Sequence, residues 1–108
     1  MTVKQIVETL NLNVFSLTDE EREVTGAYIG DLLSWVMGRA KSGDAWITIM
    51  SNVNIAAVAA LADTACIILA EGVTLDESVI EVAKSKDINI LGSEEPAYEI
   101  AVKLSQLM

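Results

Sequence analysis

The feature that most restricts the fold is an apolar run with no polar alternation, Ala65-Cys66-Ile67-Ile68-Leu69. Its length and its β-branched residues predict a strand. A strand with one face in water would alternate polar and apolar residues. We therefore expect this strand at the centre of a sheet whose two faces are both covered, as in parallel sheets with helices on each side.

Helical and strand-like segments alternate along the chain. Helical spacing of apolar residues occurs over residues 2–10, 31–41, 55–61, 76–86 and from Ala97 onward. Strand-like runs occur over residues 12–16, 46–50 and 88–91, and less clearly over 24–29. This alternation predicts one α/β domain over residues 1–108, with a mostly parallel sheet and flanking helices. Residues 17–25 form the only long loop, and the sequence leaves its mobility open.

The length and composition are sufficient for a self-supporting core. A chain of 108 residues, 52% of them hydrophobic, buries roughly two-thirds of its unfolded surface on folding. Cys66 is the only cysteine, so no internal disulfide forms, which fits the cytoplasm. Residues 1–20 hold no apolar stretch suited to a signal peptide, and the longest apolar run, Ile55 to Ala62, is too short to cross a bilayer.

The charge is strongly negative. Sixteen acids stand against seven bases, giving a net charge of −9, and the bases are scattered. Proteins that bind nucleic acids or anionic membranes need clustered Lys and Arg, so neither is expected as a partner. The acidity is most simply a contribution to solubility.

No catalytic, metal or cofactor site is predicted. The chain has no histidine, which excludes a Ser-His-Asp triad, a Cys-His pair and a Cys/His zinc site. There is no phosphate-binding loop, and the spacing of Gly26 and Gly30 is not that of a dinucleotide fingerprint. The pairs Glu20-Glu21 and Glu94-Glu95 are interpreted as solvated loop acids, and Cys66 as an inert buried thiol.

A ligand site is predicted where the parallel strands end. Ligands of open α/β sheets bind beyond the carboxyl ends of the strands, where glycine admits a ligand and helix N-termini offer N–H donors. The residues assigned to those ends are Thr25, Gly26, Ser51, Asn52, Asn54, Glu71, Gly72 and Ser93. A nucleotide or another phosphorylated metabolite would suit them. Ordinary turns and helix caps need the same residue types, so that alternative stays open.

Two further features bear on self-association. Trp35 lies beside the apolar stripe of its helix, and the helix at 55–61 is apolar all round, which predicts that it is covered on more than one side. Both features suit a homodimer. They also suit burial within a single copy.

The sequence resembles the DRTGG domain family. The resemblance rests on Thr25 to Ser34, Trp46 to Ile49, Ala65 to Gly72, Ile88 to Leu91 and the final helix. It is clearest over residues 25–108, although the tract that gives the family its name is not present as written. The resemblance implies a fold like the N-terminal domain of HPr kinase/phosphorylase and the middle region of some phosphotransacetylases.

The resemblance also implies a regulatory or assembly module, of the kind that accompanies pairs of CBS domains. It implies no catalytic residue, and no HPr kinase activity, because that activity depends on a phosphate-binding loop that this sequence lacks. Similar small proteins are found near bacterial and archaeal redox enzymes, which suggests a protein partner.

Three hypotheses of function follow. The first is a non-catalytic regulatory module that senses a nucleotide or phosphorylated metabolite and acts as a homodimer. The second is a ligand-free structural adaptor for a metabolic or redox enzyme. The third is an enzyme that uses a carboxylate near the strand ends, Asp31 or Glu71.

Overall fold

The computed structural model describes residues 1–108 and shows one α/β domain. The strands are β1 (Asn13–Ser16), β2 (Gly26–Ile29), β3 (Asp44–Thr48), β4 (Cys66–Leu69) and β5 (Ile90–Gly92). The helices are α1 (Val3–Leu10), α2 (Leu33–Arg39), α3 (Asn54–Ala62), α4 (Glu77–Ser85) and α5 (Ala97–Leu107). No helix has both the length and the apolar character that crossing a membrane would require.

The five strands form one sheet in the order β1-β5-β4-β3-β2. Strands β2 to β5 are parallel, and β1 is added antiparallel to β5 at one edge. The predicted mostly parallel sheet with flanking helices is confirmed. The apolar run that restricts the fold most forms β4, and its four residues are all buried.

Each face of the sheet is covered by helices, because alternate residues of a strand point to opposite faces. Ile47 and Ile68 pack with α1 and α5 on one face. Trp46 and Ile67 pack with α2, α3 and α4 on the other. The helices that follow β2, β3 and β4 thus lie on one face, whereas α5, which follows β5, lies on the opposite face.

Two predicted elements have different bounds. The helix expected at Asp31 begins at Leu33, because the Asp31 carboxylate bonds to the end of β3 and does not cap the helix. Strand β3 begins at Asp44, two residues before the predicted start, where it pairs in register with Gly26. Both differences come from contacts between strands that are distant in sequence.

Loop 17–25 is tied to the body of the domain. The Asn89 side chain, 2% exposed, accepts hydrogen bonds from the N–H groups of Thr18 and Asp19, both at 3.0 Å. Its amide donates to the carbonyl oxygens of Asp19, at 2.8 Å, and Ala65, at 3.0 Å. Further along, the Arg22 guanidinium pairs with Asp63 at the end of α3. One buried amide therefore fixes the start of the loop, and an ion pair holds its middle.

The prediction that α3 is covered on more than one side is wrong for the single chain. One face of α3 is buried through Ile55, Ala56, Val58 and Ala59. The opposite face, which carries Val53, Ala57, Ala60 and Leu61, is exposed. Trp35 is also half exposed, so the alternative that it folds into the core of one copy is wrong as well.

Candidate functional site

The structure brings six of the eight predicted site residues to one edge of the sheet. Ser51, Asn52 and Asn54 follow β3, Glu71-Gly72 follows β4, and Ser93 follows β5. Because these three strands are parallel neighbours, their carboxyl ends meet there.

The placement of Thr25 and Gly26 at that edge is wrong. Gly26 is the first residue of β2 and pairs with Asp44, the first residue of β3. The Thr25 N–H donates to the carbonyl of Gly43, 3.0 Å away. These two residues therefore lie at the amino edge, and Gly26 lines a small apolar cavity beside α5. The physical reason is that Gly26 begins a strand, whereas the prediction needs it at the end of one.

The chain leaves the carboxyl ends of β4 and β5 towards opposite faces of the sheet, because α4 and α5 lie on opposite faces. Such a divergence opens a crevice in many α/β proteins. Here backbone hydrogen bonds close it. The N–H groups of Glu71 and Gly72 donate to the carbonyl oxygens of Glu95, at 2.9 Å, and Ser93, at 2.8 Å. These N–H groups are consequently not free to bind a phosphate.

The turn after β3 differs, because its donors are free. The backbone N–H groups of Ser51, Asn52 and Val53 take part in no hydrogen bond of the chain. The Asn52 Oδ1 accepts the Asn54 N–H at 2.9 Å, which shapes the turn and begins α3. Three consecutive free N–H groups ahead of a helix are the arrangement that favours a bound anion.

Asp31 holds the end of β2 against the end of β3. Its Oδ1 accepts hydrogen bonds from the Thr48 hydroxyl, at 2.8 Å, and the Ile49 N–H, at 3.1 Å. The Trp46 indole N–H donates to the carbonyl of Gly30, at 2.9 Å, from the neighbouring strand. The carboxylate that sequence reasoning offered as a catalytic group is thus engaged in joining two strands.

A polar cleft of about 410 Å³ lies at the carboxyl end of β5. It is lined by Leu10, Asn11, Asn13, Gly92, Ser93, Glu94, Glu95 and Lys103. Lys103 is its one cation and already pairs with Glu95. The cleft is therefore net acidic, and an anionic ligand would have to compete with Glu95 for Lys103. Of these residues the sequence predicted only Ser93 as a ligand residue. Glu94 and Glu95, beside it in the same turn, are interpreted from the sequence as solvated acids, and the residues from α1, β1 and α5 share no local pattern with them.

Two groups have shifted pKa values, and neither lies at the carboxyl edge. Burial raises the pKa of the Cys66 thiol to about 12, which keeps it protonated at neutral pH. At the amino edge, the Ser42 hydroxyl and then the Arg22 guanidinium hold the pKa of Asp63 below its usual value. Both shifts belong to structural contacts.

Fold and edge together define a class: a small single α/β domain with a mostly parallel sheet and a polar carboxyl edge. The chain belongs to the DRTGG domain family, whose sequence model matches residues 5–107. The resemblance predicted from the sequence is thereby confirmed. No curated protein sequence matches the chain.

A solved structure shows the same fold. It contains the CBS and DRTGG domains of the regulatory region of Clostridium perfringens pyrophosphatase, complexed with its activator, diadenosine tetraphosphate. The TM-score is 0.73 at 18% sequence identity, and the similarity covers 97% of this chain and 46% of that chain. The present chain thus spans about half the length of that regulatory region.

Proposed function

We propose that this domain is a non-catalytic cytoplasmic regulatory module that binds a nucleotide or another phosphorylated metabolite and acts as a homodimer. The observation that carries the ligand is the turn after β3, where Ser51, Asn52 and Val53 present free N–H donors. The similar pyrophosphatase region binds a nucleotide activator, which supports the choice of ligand class.

Charge favours this turn over the rest of the carboxyl edge. The turn after β3 has one carboxylate beside it, Asp31, which already accepts hydrogen bonds from Thr48 and Ile49. The turns after β4 and β5 carry three, Glu71, Glu94 and Glu95. A phosphate would be repelled by those three carboxylates at short range. We therefore place the phosphate at the start of α3 and not in the acidic cleft.

Thermal unfolding with adenine, guanine and uridine nucleotides, coenzyme A, inorganic phosphate and diadenosine tetraphosphate tests this proposal. A ligand that binds only the folded state, at a hundred times its Kd, stabilises that state by about 2.7 kcal/mol. For a domain of this size the rise in Tm is about 10 °C.

The informative variant is Ser51→Glu, which places a carboxylate at the free donors. Ser78→Glu, at an exposed serine of α4, is the matched control. We expect the ligand-induced rise in Tm to vanish in the first variant and persist in the second. A rise that survives in Ser51→Glu would overturn the proposed site.

The ligand-free adaptor is the second candidate. The hydrogen bonds that close the β4–β5 crevice favour it, because they remove the usual ligand position of such a sheet. No rise in Tm with any of the probes, together with capture of a metabolic or redox enzyme by the purified domain, would establish this function in place of the first. The enzyme hypothesis has less support, since Asp31 joins β2 to β3.

A further inference from the structure

The outer face of α3 is unusual for a helix exposed to water. Val53, Ala57, Ala60 and Leu61 lie on it at helical spacing, and Leu61 is 74% exposed. The outer face of α4 instead carries Glu77, Ser78, Glu81, Lys84 and Ser85. A helix that is apolar on both faces is normally covered on both. Within one chain only the inner face of α3 is covered.

The helix that packs beside α3, α2, also exposes a large apolar side chain. Trp35 is 52% exposed, and the Arg39 guanidinium lies 3.7 Å from the centroid of its ring. An aromatic side chain presents about 150–250 Å², so Trp35 alone leaves on the order of 100 Å² uncovered. Single exposed apolar residues are ordinary, whereas several on one helix face, with an exposed tryptophan on the neighbouring helix, are typical of an interaction site.

The distribution of charge favours a second copy of this chain as the occupant. Residues 31–63, from the acid before α2 to the acid that caps α3, hold three acids, Asp31, Asp44 and Asp63, and two bases, Arg39 and Lys41. Their formal charge is −1, which leaves −8 on the remaining residues, and the outer face of α3 itself carries no charged side chain. Two copies of such a chain repel one another through their other surfaces and approach most easily through this one.

We propose that a second copy of this chain covers the outer face of α3, with the two α3 helices antiparallel across a twofold axis at Ala57. This inference rests on the homodimer of the proposed function and gives it a surface and a register. In that register Val53 lies opposite Leu61 of the other copy, Ala60 lies opposite the exposed Asn54, and Ala57 lies opposite itself. Large side chains then meet at both ends and small ones at the centre, so the face is complementary to itself, as a twofold interface requires.

Sedimentation velocity over a range of concentrations, with Ala57→Glu and Ser78→Glu, tests the surface. The wild-type chain is expected at twice its monomer mass of 11.6 kDa. Ala57→Glu places two carboxylates together on the axis and is expected to raise the dimer Kd at least about a hundredfold, which corresponds to about 2.8 kcal/mol. Ser78→Glu adds the same charge outside the surface and is expected to leave the Kd unchanged.

Cysteine cross-linking tests the register. Packed helices lie about 8–10 Å apart and their Cα atoms about 2.3 Å from each axis, which puts facing Cα atoms about 3.4–5.4 Å apart. The upper part of that range lies within disulfide range, about 4.4–6.8 Å. Ala57→Cys is expected to form a covalent dimer with oxidised glutathione as the electron acceptor. The wild-type chain, whose Cys66 is buried, and Ser78→Cys are expected not to.

Each contrary result overturns a different claim. A wild-type chain that stays monomeric overturns both this interface and the homodimer of the proposed function, while the nucleotide titration still tests the ligand separately. A dimer that persists in Ala57→Glu, or that Ala57→Cys fails to cross-link, overturns the surface or its register alone.

Discussion

The side chain of Asn89 holds together two segments that are distant in the sequence. It lies at the start of β5, and its four hydrogen bonds join loop 17–25 to the chain just before β4. A buried amide with every group satisfied specifies one arrangement of the segments it joins, because any other arrangement leaves a polar group unpaired.

Replacing Asn89 with alanine is expected to lower the free energy of unfolding by roughly 2 kcal/mol. The substitution leaves the N–H groups of Thr18 and Asp19 without partners and opens a small cavity. Urea unfolding measures the loss, and hydrogen exchange should show faster exchange over residues 17–25. The exposed Asn13, whose side chain makes no hydrogen bond, gives the control Asn13→Ala, for which a change within about 0.5 kcal/mol is expected. Equal losses in the two variants would contradict the role assigned to Asn89.

Asp63 supplies a pH-dependent contribution to stability. Its pKa in the folded state lies below the ordinary value of 3.8, because the Ser42 hydroxyl and then Arg22 favour the charged form. The stabilisation is therefore complete above the ordinary pKa and is lost as the pH falls through the lowered one. Asp63→Asn keeps a residue that tolerates the left-handed backbone at this position, where φ is 58°.

The Tm of the wild-type chain should therefore exceed that of Asp63→Asn near neutral pH. The difference should shrink as the pH falls below about 4. Because Asp63 is largely exposed, we expect the two chains to differ in free energy of unfolding by less than about 1 kcal/mol. A difference that stays constant down to acidic pH would show that the carboxylate is not the cause.

Among the elements, the connection from α2 to β3 depends most on backbone conformation. Gly43 adopts a φ of +86°, and its carbonyl accepts the Thr25 N–H that aligns β2 with β3. A methyl group at Gly43 would clash with the Thr25 side chain. Gly38, inside α2, has an ordinary φ and open space around it.

The two glycines are expected to respond to alanine in opposite directions. Gly43→Ala should lower the free energy of unfolding by more than about 1 kcal/mol, because an L-residue is strained at that φ. Gly38→Ala should raise it by up to about 1 kcal/mol, because alanine is the better helix former. Chemical unfolding measures the change in free energy of unfolding for both variants. Destabilisation by Gly38→Ala would mean that α2 is not an ordinary exposed helix.

At the scale of the whole molecule, net charge opposes compactness. The formal charge is −9 on a body of 32 × 27 × 25 Å. At about 0.01 M salt the Debye length is about 30 Å, so acids throughout the molecule repel one another. At about 0.1 M it is about 10 Å, and most of that repulsion is screened.

The Tm is therefore expected to rise as sodium chloride increases from about 0.01 M to 0.1 M. The double variant Glu20→Gln and Glu21→Gln removes two exposed acids of loop 17–25 and should show a smaller rise. Differential scanning calorimetry at low protein concentration measures the rise in Tm with salt for the wild-type chain and for the double variant. A fall in Tm with salt would show that attractive ion pairs, such as that of Arg22 with Asp63, outweigh the repulsion.

Local patterns in the sequence are enough to predict the class of fold and the family. The unbroken apolar run of β4 must be covered on both faces. The alternation of strand-like and helical segments provides helices that can cover it, so these two local patterns predict a mostly parallel α/β sheet. The carboxyl-edge positions of Ser51, Asn52, Asn54, Glu71, Gly72 and Ser93 followed from strand direction alone.

The pairing of groups that are distant in the chain depends on the tertiary structure. That structure put Gly26 at the start of β2, engaged Asp31 with β3, and used the donors of Glu71 and Gly72 to close the crevice. It also left the outer face of α3 uncovered, which a periodicity cannot reveal. The physical reason is the same throughout: local patterns fix the conformation and apolar face of a segment, whereas hydrogen-bond partners and burial depend on which segments meet in space.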